Sequence, residues 1–474
     1  MMILKRTATL CVLATLAGTA SAFMGQKPST HGTTTSTGRT FLADPLPLSL
    51  SASTLSSSSA TATASVDFWS DVPEGPPDAI LGIAQAFRAS TDERKVNVCV
   101  GAYRDESGKP WVLPSVREAE RRILLEEGSI ENKEYLPIDG DAAFVGKALQ
   151  FAYGADAPLD RLAGVQALSG TGACRVGAAF LAKFLPEGTK VFIPTPTWGN
   201  HWAIFREAGV ATEAYRYYSR VVNGLDLDGM KEDLTNAPDK SVILLHACAH
   251  NPTGGDPTTE QWEEIAAIVK EKSHLVFFDS AYQGFASGDA EKDAYALRSF
   301  TGQNLPVMLA QSFAKNFGLY GERCGTFSIL CSDEEQKKKV MSQLKLVIRP
   351  MYSNPPKHGS SIVKTILSDE ELTAQYYSEC KSMADRILEM RTKLVSTLKD
   401  VGSTHDWSHV TNQIGMFAYT GMSAEMCDEL TSEYAIYLTR DGRISVAGLN
   451  DGNVEYVAKA VHAVTDGKSI TATE

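Results

Sequence analysis

Six apolar runs between residues 191 and 331 constrain this chain more than any other feature. They are VFIPTPTW (191–198), EAYRYY (213–218), SVILLHACAH (241–250), HLVFFDSAY (274–282), PVMLAQSF (306–313) and CGTFSILC (324–331). Each reads as a strand, and several are separated by amphipathic helical patterns such as TEQWEEIAAIVKEK (259–272). Near-continuous apolar strands alternating with helices imply an α/β fold with a mostly parallel sheet covered on both faces. Ligands of such sheets sit beyond the carboxyl ends of the strands. The polar residues that finish these runs are therefore the candidates for chemistry. A long helical pattern over 369–399 then leads into a smaller C-terminal unit of mixed strands and helices.

The 474 residues allow two to three ordinary domains. Residues 1–65 differ from the rest, carrying Lys5, Arg6, Lys27 and Arg39 against Asp44. Beyond them, 41 basic residues face 56 acidic ones, a net −15. So acidic a body argues against nucleic acid or an anionic membrane as main partner. The opening MMILKRTATLCVLATLAGTASAF has the basic start, short apolar stretch and small-residue ending of a secretory signal, too short to span a membrane. Residues 23–65 are Ser/Thr-rich and acid-poor, like a transit peptide, and cannot bury enough apolar surface to fold. Together, a signal-like 1–22 and a transit-like 23–65 resemble the bipartite presequence of plastids of secondary endosymbiotic origin, where an ASA-Phe junction is typical. A plastid is the expected address, with the mitochondrion as the alternative. Plain secretion fits less well: no Asn-x-Ser/Thr site with a non-Pro centre occurs, and seven cysteines follow Cys11 at irregular spacing, so no disulfide framework is expected.

The strand ends carry an unusual set of groups. Asn251 opens NPTGG after one strand, Asp279 and Tyr282 close the next, and Ser312 and Lys315 close another, with Arg323 eight residues on. Upstream, LSGTGACRVGAAF (168–180) reads as a glycine-rich turn feeding a helix, where backbone N–H groups with the Ser169 and Thr171 hydroxyls make a phosphate cradle. Alone, that turn is better explained as a helix cap. Arg175 also stands where a dinucleotide fingerprint would place its third glycine. The combination is far more specific, because pyridoxal phosphate needs each item. Its phosphate takes the cradle and the fork of Arg323. Its aldehyde takes a lysine amine, and its ring nitrogen takes a carboxylate that keeps it protonated. A buried Lys315 and a buried Arg323 are the expectation, one occupied covalently and the other balanced by phosphate.

From about Val66 onward the chain resembles the aspartate aminotransferases, fold-type I pyridoxal enzymes. Nine ordered stretches carry the likeness: VGAYRDESGKPWVLPSVR (100–117), EYLPIDG (134–140), SGTGACRVGA (169–178), PTWGNH (196–201), HACAHNPTG (246–254), FFDSAYQGFASG (277–288), SFAKNFGLYGER (312–323), IRPMYSNPP (348–356) and GRISVAGL (442–449). The resemblance implies that Lys315 anchors the cofactor aldehyde and then shuttles a proton at the substrate α-carbon. It implies that Asp279 pairs with the ring nitrogen, only that cation keeping it ionised, and that His201 supports Asp279 from behind. Tyr282 and Asn251 would bond the ring oxygen, and Trp198 would stack on the ring. Ser169, Gly170, Thr171, Ser312 and Arg323 would bind phosphate, joined by Tyr135 of the other subunit. Arg443 would fork the substrate α-carboxylate, with Trp198, Asn251 and the Gly101 backbone nearby. Arg349, again of the neighbouring subunit, would take the distal carboxylate. The implied assembly is a homodimer with two composite sites. The implied layout is a small domain of 66–112 plus 383–474 closing over a large cofactor-binding domain of 113–382.

Arg349 would decide the substrate. A dicarboxylate gains a charge-assisted pair of roughly 1.5–3 kcal/mol, whereas a neutral side chain leaves a guanidinium unpaired at about 3–5 kcal/mol. Reversible ping-pong transfer between L-aspartate and 2-oxoglutarate, giving oxaloacetate and L-glutamate, is therefore the expected reaction. Three other readings compete. An aromatic amino-acid aminotransferase of the same fold would share every cofactor residue. A dinucleotide-dependent oxidoreductase lacks its third glycine, and a dead relative serving as scaffold would not need Lys315. His246, Cys248 and His250 in HACAH, which alternation would put on one face, suggest packing rather than a metal site, since no further ligands accompany them.

Overall fold

The computed structural model describes residues 68–75, 81–125 and 133–471. The segment 1–65, with its expected presequence, lies outside them. The chain divides into two compact units, 1–73 and 74–474, and everything below concerns the second.

Seven strands form the central sheet: β1 (Leu162–Leu168), β2 (Lys190–Thr195), β3 (Ala211–Arg216), β4 (Val242–His246), β5 (Leu275–Ser280), β6 (Val307–Ser312) and β7 (Cys324–Leu330). Their spatial order is β1-β7-β6-β5-β4-β2-β3. All six predicted runs appear. β1 was not read from the sequence, because LAGVQAL is rich in Ala and Gly and carries little β-branched signal. The pairs from β6 across to β3 are parallel, and β7 runs antiparallel to both β6 and β1. That reversal has a consequence for the site. The start of β7, where Arg323 precedes Cys324, lies at the same edge as the carboxyl ends of β1 and β6.

Both faces of the sheet are covered. Phe277 and Phe278, adjacent on β5, enter separate apolar clusters, as the pleat requires. Helix α1 (Ser169–Phe184) packs Ala173 and Val176 with Phe277. It comes close because Gly177 has no side chain, since a Cβ there would sit 2.5 Å from the Phe277 ring. On the other face, α2 (Thr259–Glu271) buries Trp262, Ile265, Ala266 and Val269, an i, i+3, i+4, i+7 stripe. Thr258 and Gln261 close its capping box. The long predicted helix is α3 (Glu370–Asp400). Beyond it, Phe417–Tyr419 pairs antiparallel with Arg443–Ser445, and Ile436–Tyr437 pairs parallel with Val96–Asn97. All seven cysteines of the described residues are buried, and none of them is joined in a disulfide.

Two local expectations fail. The stretch 168–180 holds no turn: β1 passes straight into α1, and Gly170 and Gly172 lie in the first helical turn behind Ser169 at φ +59°. The alternation of HACAH also stops at His246, where β4 ends, so His246, Cys248 and His250 do not share a strand face.

Candidate active site

The carboxyl ends of β4, β5 and β6 lie side by side, with His246 in register with Asp279 and Asp279 with Ala310. Together with the first turn of α1, they surround a recess. Of the predicted residues, Ser169, Gly170, Thr171, Trp198, Asn251, Asp279, Tyr282, Ser312, Lys315 and Arg323 all line it.

At one end, α1 presents the N–H groups of its first turn, which have no partner within the helix. Ser169 Oγ and Ser312 Oγ lie 2.8 Å apart, and Ser312 Oγ also accepts from Ala314 N–H. A side chain at Gly170 would meet Ser312 Cβ at 3.3 Å and crowd this corner. The donor set and positive helix end suit a phosphate.

At the other end sits Asp279. Its Oδ2 is 3.0 Å from His201 Nε2, His201 Nδ1 is 2.8 Å from Thr197 Oγ1, and Thr197 Oγ1 is 3.1 Å from His246 Nε2. Asn251 N–H donates to His246 Nδ1 at 3.1 Å. That last bond fixes the tautomers of the whole chain. His246 carries its proton on Nε2 and donates to Thr197, which donates to His201, which donates to Asp279. Burial first, then the nearby His201, pushes His246 down to about 3, so it stays neutral. Burial pushes the Asp279 carboxyl up, but the His201 hydrogen bond and the surrounding positive character outweigh it, holding the group below its ordinary range. Asp279 therefore does not depend on a ring cation to stay ionised, contrary to the expectation above. Its Oδ1 is buried without a partner. A protonated ring nitrogen is the kind of donor that oxygen lacks.

Lys315 is half-buried, its Nζ 5.6 Å from the centroid of the Tyr282 ring. Burial lowers its amine, Asp279 pulls it back up, and Arg323 lowers it again, leaving it below the usual lysine range. Burial likewise pushes the Tyr282 phenol up. Arg323 is exposed rather than buried, because it precedes β7 at the rim, where its Nη1 donates to the Tyr320 carbonyl at 3.1 Å.

A cleft of about 810 Å³ adjoins the recess, sharing Trp198 and Asn251 with it and lined also by Arg443. The Arg443 guanidinium lies 4.2 Å over the Phe417 ring, donates to the Cys99 carbonyl at 3.0 Å and reaches Asn251 Oδ1 at 3.4 Å. Gly101 abuts the same ring, where a Cβ would approach to 2.7 Å. Two predicted residues stand apart from both spaces: Tyr135 is 84% exposed, and Arg349 is exposed on a helix with its Nη1 on Ser353 Oγ at 2.6 Å. Sequence reasoning missed Thr197 and the part His246 plays. It also missed Cys174, whose sulfur comes within 4.8 Å of ligand atoms on His201 and Asp279.

A recess at the carboxyl edge of a parallel sheet that gathers an amine, a buried carboxylate and an anion-binding helix start is the arrangement of a group-transfer enzyme. The chain belongs to the family described as aminotransferase class I and II, whose model matches residues 93–461. It is 54% identical over 404 residues to the mitochondrial aspartate aminotransferase of Dictyostelium discoideum, covering 85% of this chain and 94% of that protein. The aspartate aminotransferase of Saccharomyces cerevisiae cytoplasm superimposes with a TM-score of 0.82 at 43% identity, covering 85% of this chain and 99% of that one. The aromatic-amino-acid aminotransferase of Burkholderia pseudomallei, solved covalently bound to pyridoxal phosphate, gives 0.79 at 43%, covering 84% and 99%.

Proposed function

We infer that this protein is a pyridoxal-phosphate-dependent aspartate aminotransferase, moving the amino group between L-aspartate and 2-oxoglutarate. The observation that carries the reading is the meeting of Lys315, the unpartnered Asp279 Oδ1 and the start of α1 in one recess. Bound pyridoxal phosphate supplies an aldehyde that takes up the amino group and a ring that draws electrons from the substrate α-carbon.

The chain's own residues do the rest. Ser169, Gly170, Thr171 and Ser312 hold the phosphate, and the exposed Arg323 folds onto it as a counter-charge. Asp279, held ionised by the His201–Thr197–His246 chain, faces the ring nitrogen. Asn251 and Tyr282 bond the ring oxygen, and Trp198 covers the ring. Lys315 anchors the aldehyde. Its amine, eased toward neutrality by burial, would then take the proton from the substrate α-carbon and give it up on the far side of the nitrogen, at the carbon that the cofactor's aldehyde supplies. Arg443, pinned over Phe417, forks the α-carboxylate. Arg349 and Tyr135, which are exposed and line neither the recess nor the cleft of this chain, complete the recess of a second copy, so the working unit is a homodimer. Closure of 66–112 plus 383–474 over 113–382 expels water and strengthens both arginine contacts. The presequence directs the protein to an organelle. Its layout favours a plastid, and the mitochondrial name of the Dictyostelium relative favours the alternative.

A substrate panel tests the reading. Aspartate and glutamate should exceed phenylalanine and leucine by about 100-fold in kcat/KM, the worth of one buried charge pair. A preference for phenylalanine would replace the reading with the aromatic one.

A further inference from the structure

Asn251 and Tyr282 stand on the two turns that follow the adjacent strands β4 and β5, outside regular structure. Each turn is tied to a carboxylate that does not itself line the recess. Asp256 accepts from Ala249 N–H through Oδ2 at 2.6 Å and from His250 N–H through Oδ1 at 2.8 Å, directly before Asn251. Asp293, buried, accepts from Gly284 N–H at 2.8 Å and Ala286 N–H at 3.1 Å through Oδ2, and from Ser287 N–H at 3.2 Å through Oδ1. The same Ala286 N–H points at the Tyr282 carbonyl, 2.9 Å away.

The backbone so held is not one the sequence would choose. Ala249 has φ +49°, a left-handed conformation disfavoured for a residue with a Cβ. Gly415 packs so closely that a Cβ on it would lie 2.4 Å from that of Ala249. Two backbone N–H groups donating to one carboxylate hold this turn in place. Both carboxylates line one cavity of about 320 Å³, which shares the Cys248 side chain with the recess. The two clamps therefore stand directly behind the wall that carries Asn251 and Tyr282. Burial pushes both carboxyls up to about 6, so near neutral pH each still serves as a charged acceptor.

We propose that Asp256 and Asp293 are paired positioning residues: each fixes the turn that aims one of the two donors, Asn251 and Tyr282, at the ring oxygen of the cofactor. This rests on the cofactor reading above. Since those donors stabilise the oxygen in its anionic form, loosening either clamp makes the bound chromophore less acidic.

The test uses holoenzyme and reads the pH midpoint of its visible absorbance change, with thermal stability alongside. Asp256→Asn and Asp293→Asn each replace one acceptor oxygen by a donor facing an N–H. Each should raise the midpoint by about one pH unit, as expected for a weakened bond to a charged oxygen. Asp141→Asn is the control, because it weakens the Asp141 side-chain bonds to the N–H groups of Ala143 and Phe144 and the ion pair with Lys364 without touching either turn. It should lower stability and leave the midpoint in place. Asp256→Glu and Asp293→Glu keep charge and both acceptors. They provide folded protein if the amides do not, with a smaller shift of the same sign. Midpoints unmoved in all four clamp variants, with stability losses like that of the control, would overturn the proposal and leave the cofactor reading intact. A wild-type protein with no visible band would remove that reading and the clamps with it.

Discussion

On the inner wall of the recess, Asp279 is wired before anything binds. Its Oδ2 accepts a hydrogen bond from His201, whose orientation is set through Thr197 and His246 by the Asn251 backbone. At the rim, Arg323 is exposed, and so, outside this chain's own recess, are Arg349 and Tyr135, which we propose complete the rim of a second copy's recess. The wall spends buried hydrogen bonds on a charge that must never leave. The rim leaves its arginines in solvent. Preorganised charge suits the invariant part of a reaction, and loosely held arginines suit the part that distinguishes one carboxylate from another.

The largest expected effect breaks the wall. Asp279→Asn keeps the shape and leaves a ring cation without its counter-charge, a cost of about 3–5 kcal/mol. Turnover of aspartate should fall roughly 10²- to 10⁴-fold, measured by coupling oxaloacetate formation to a dehydrogenase. A loss below tenfold would show that the His201 chain alone sustains catalysis.

A rim change should act differently. Arg349→Leu should lower kcat/KM for aspartate by about 100-fold while cofactor affinity, read by fluorescence titration, stays as in wild type. Unchanged aspartate kinetics would detach Arg349 from specificity, and parallel loss of cofactor would detach it from the rim.

The smallest effect sharpens the wall's own electrostatics. His246 titrates at about 3 in the folded chain and near 6.5 unfolded. Below 6.5 the unfolded chain takes up a proton that the folded chain refuses. The stability this histidine contributes is therefore complete above 6.5 and is lost as pH falls toward 3. At pH 5 the loss is about 2 kcal/mol. Urea denaturation of wild type and His246→Asn should converge by that amount between pH 7 and pH 5. Parallel pH profiles would mean that His246 is not held neutral.

Much of the wall was legible because each apolar run stops at the residue that matters: Asp279, Ser312 and Asn251 announce themselves as polar ends of buried strands. The wiring behind them was not. The family resemblance supplied His201 behind Asp279, a contact across 78 residues, but Thr197 meets His246 across 49 residues and nothing in local spacing encodes that link. Asp256 reads as a loop residue before Pro257, and Asp293 as one charge in an exposed-looking AEKD, until the turns fold back on them. Arg323 was expected to be buried because a bound phosphate would balance its charge, and periodicity gives a strand no direction. The antiparallel course of β7 puts the residue just before Cys324 at the mouth of the site, in solvent.

The most direct measurement reduces the purified holoenzyme with borohydride and maps the modified peptide by mass. A cofactor adduct fixed on Lys315, with loss of the yellow colour, is the predicted result. An adduct on another lysine, or none at all, would contradict the assignment of that amine and the function built on it.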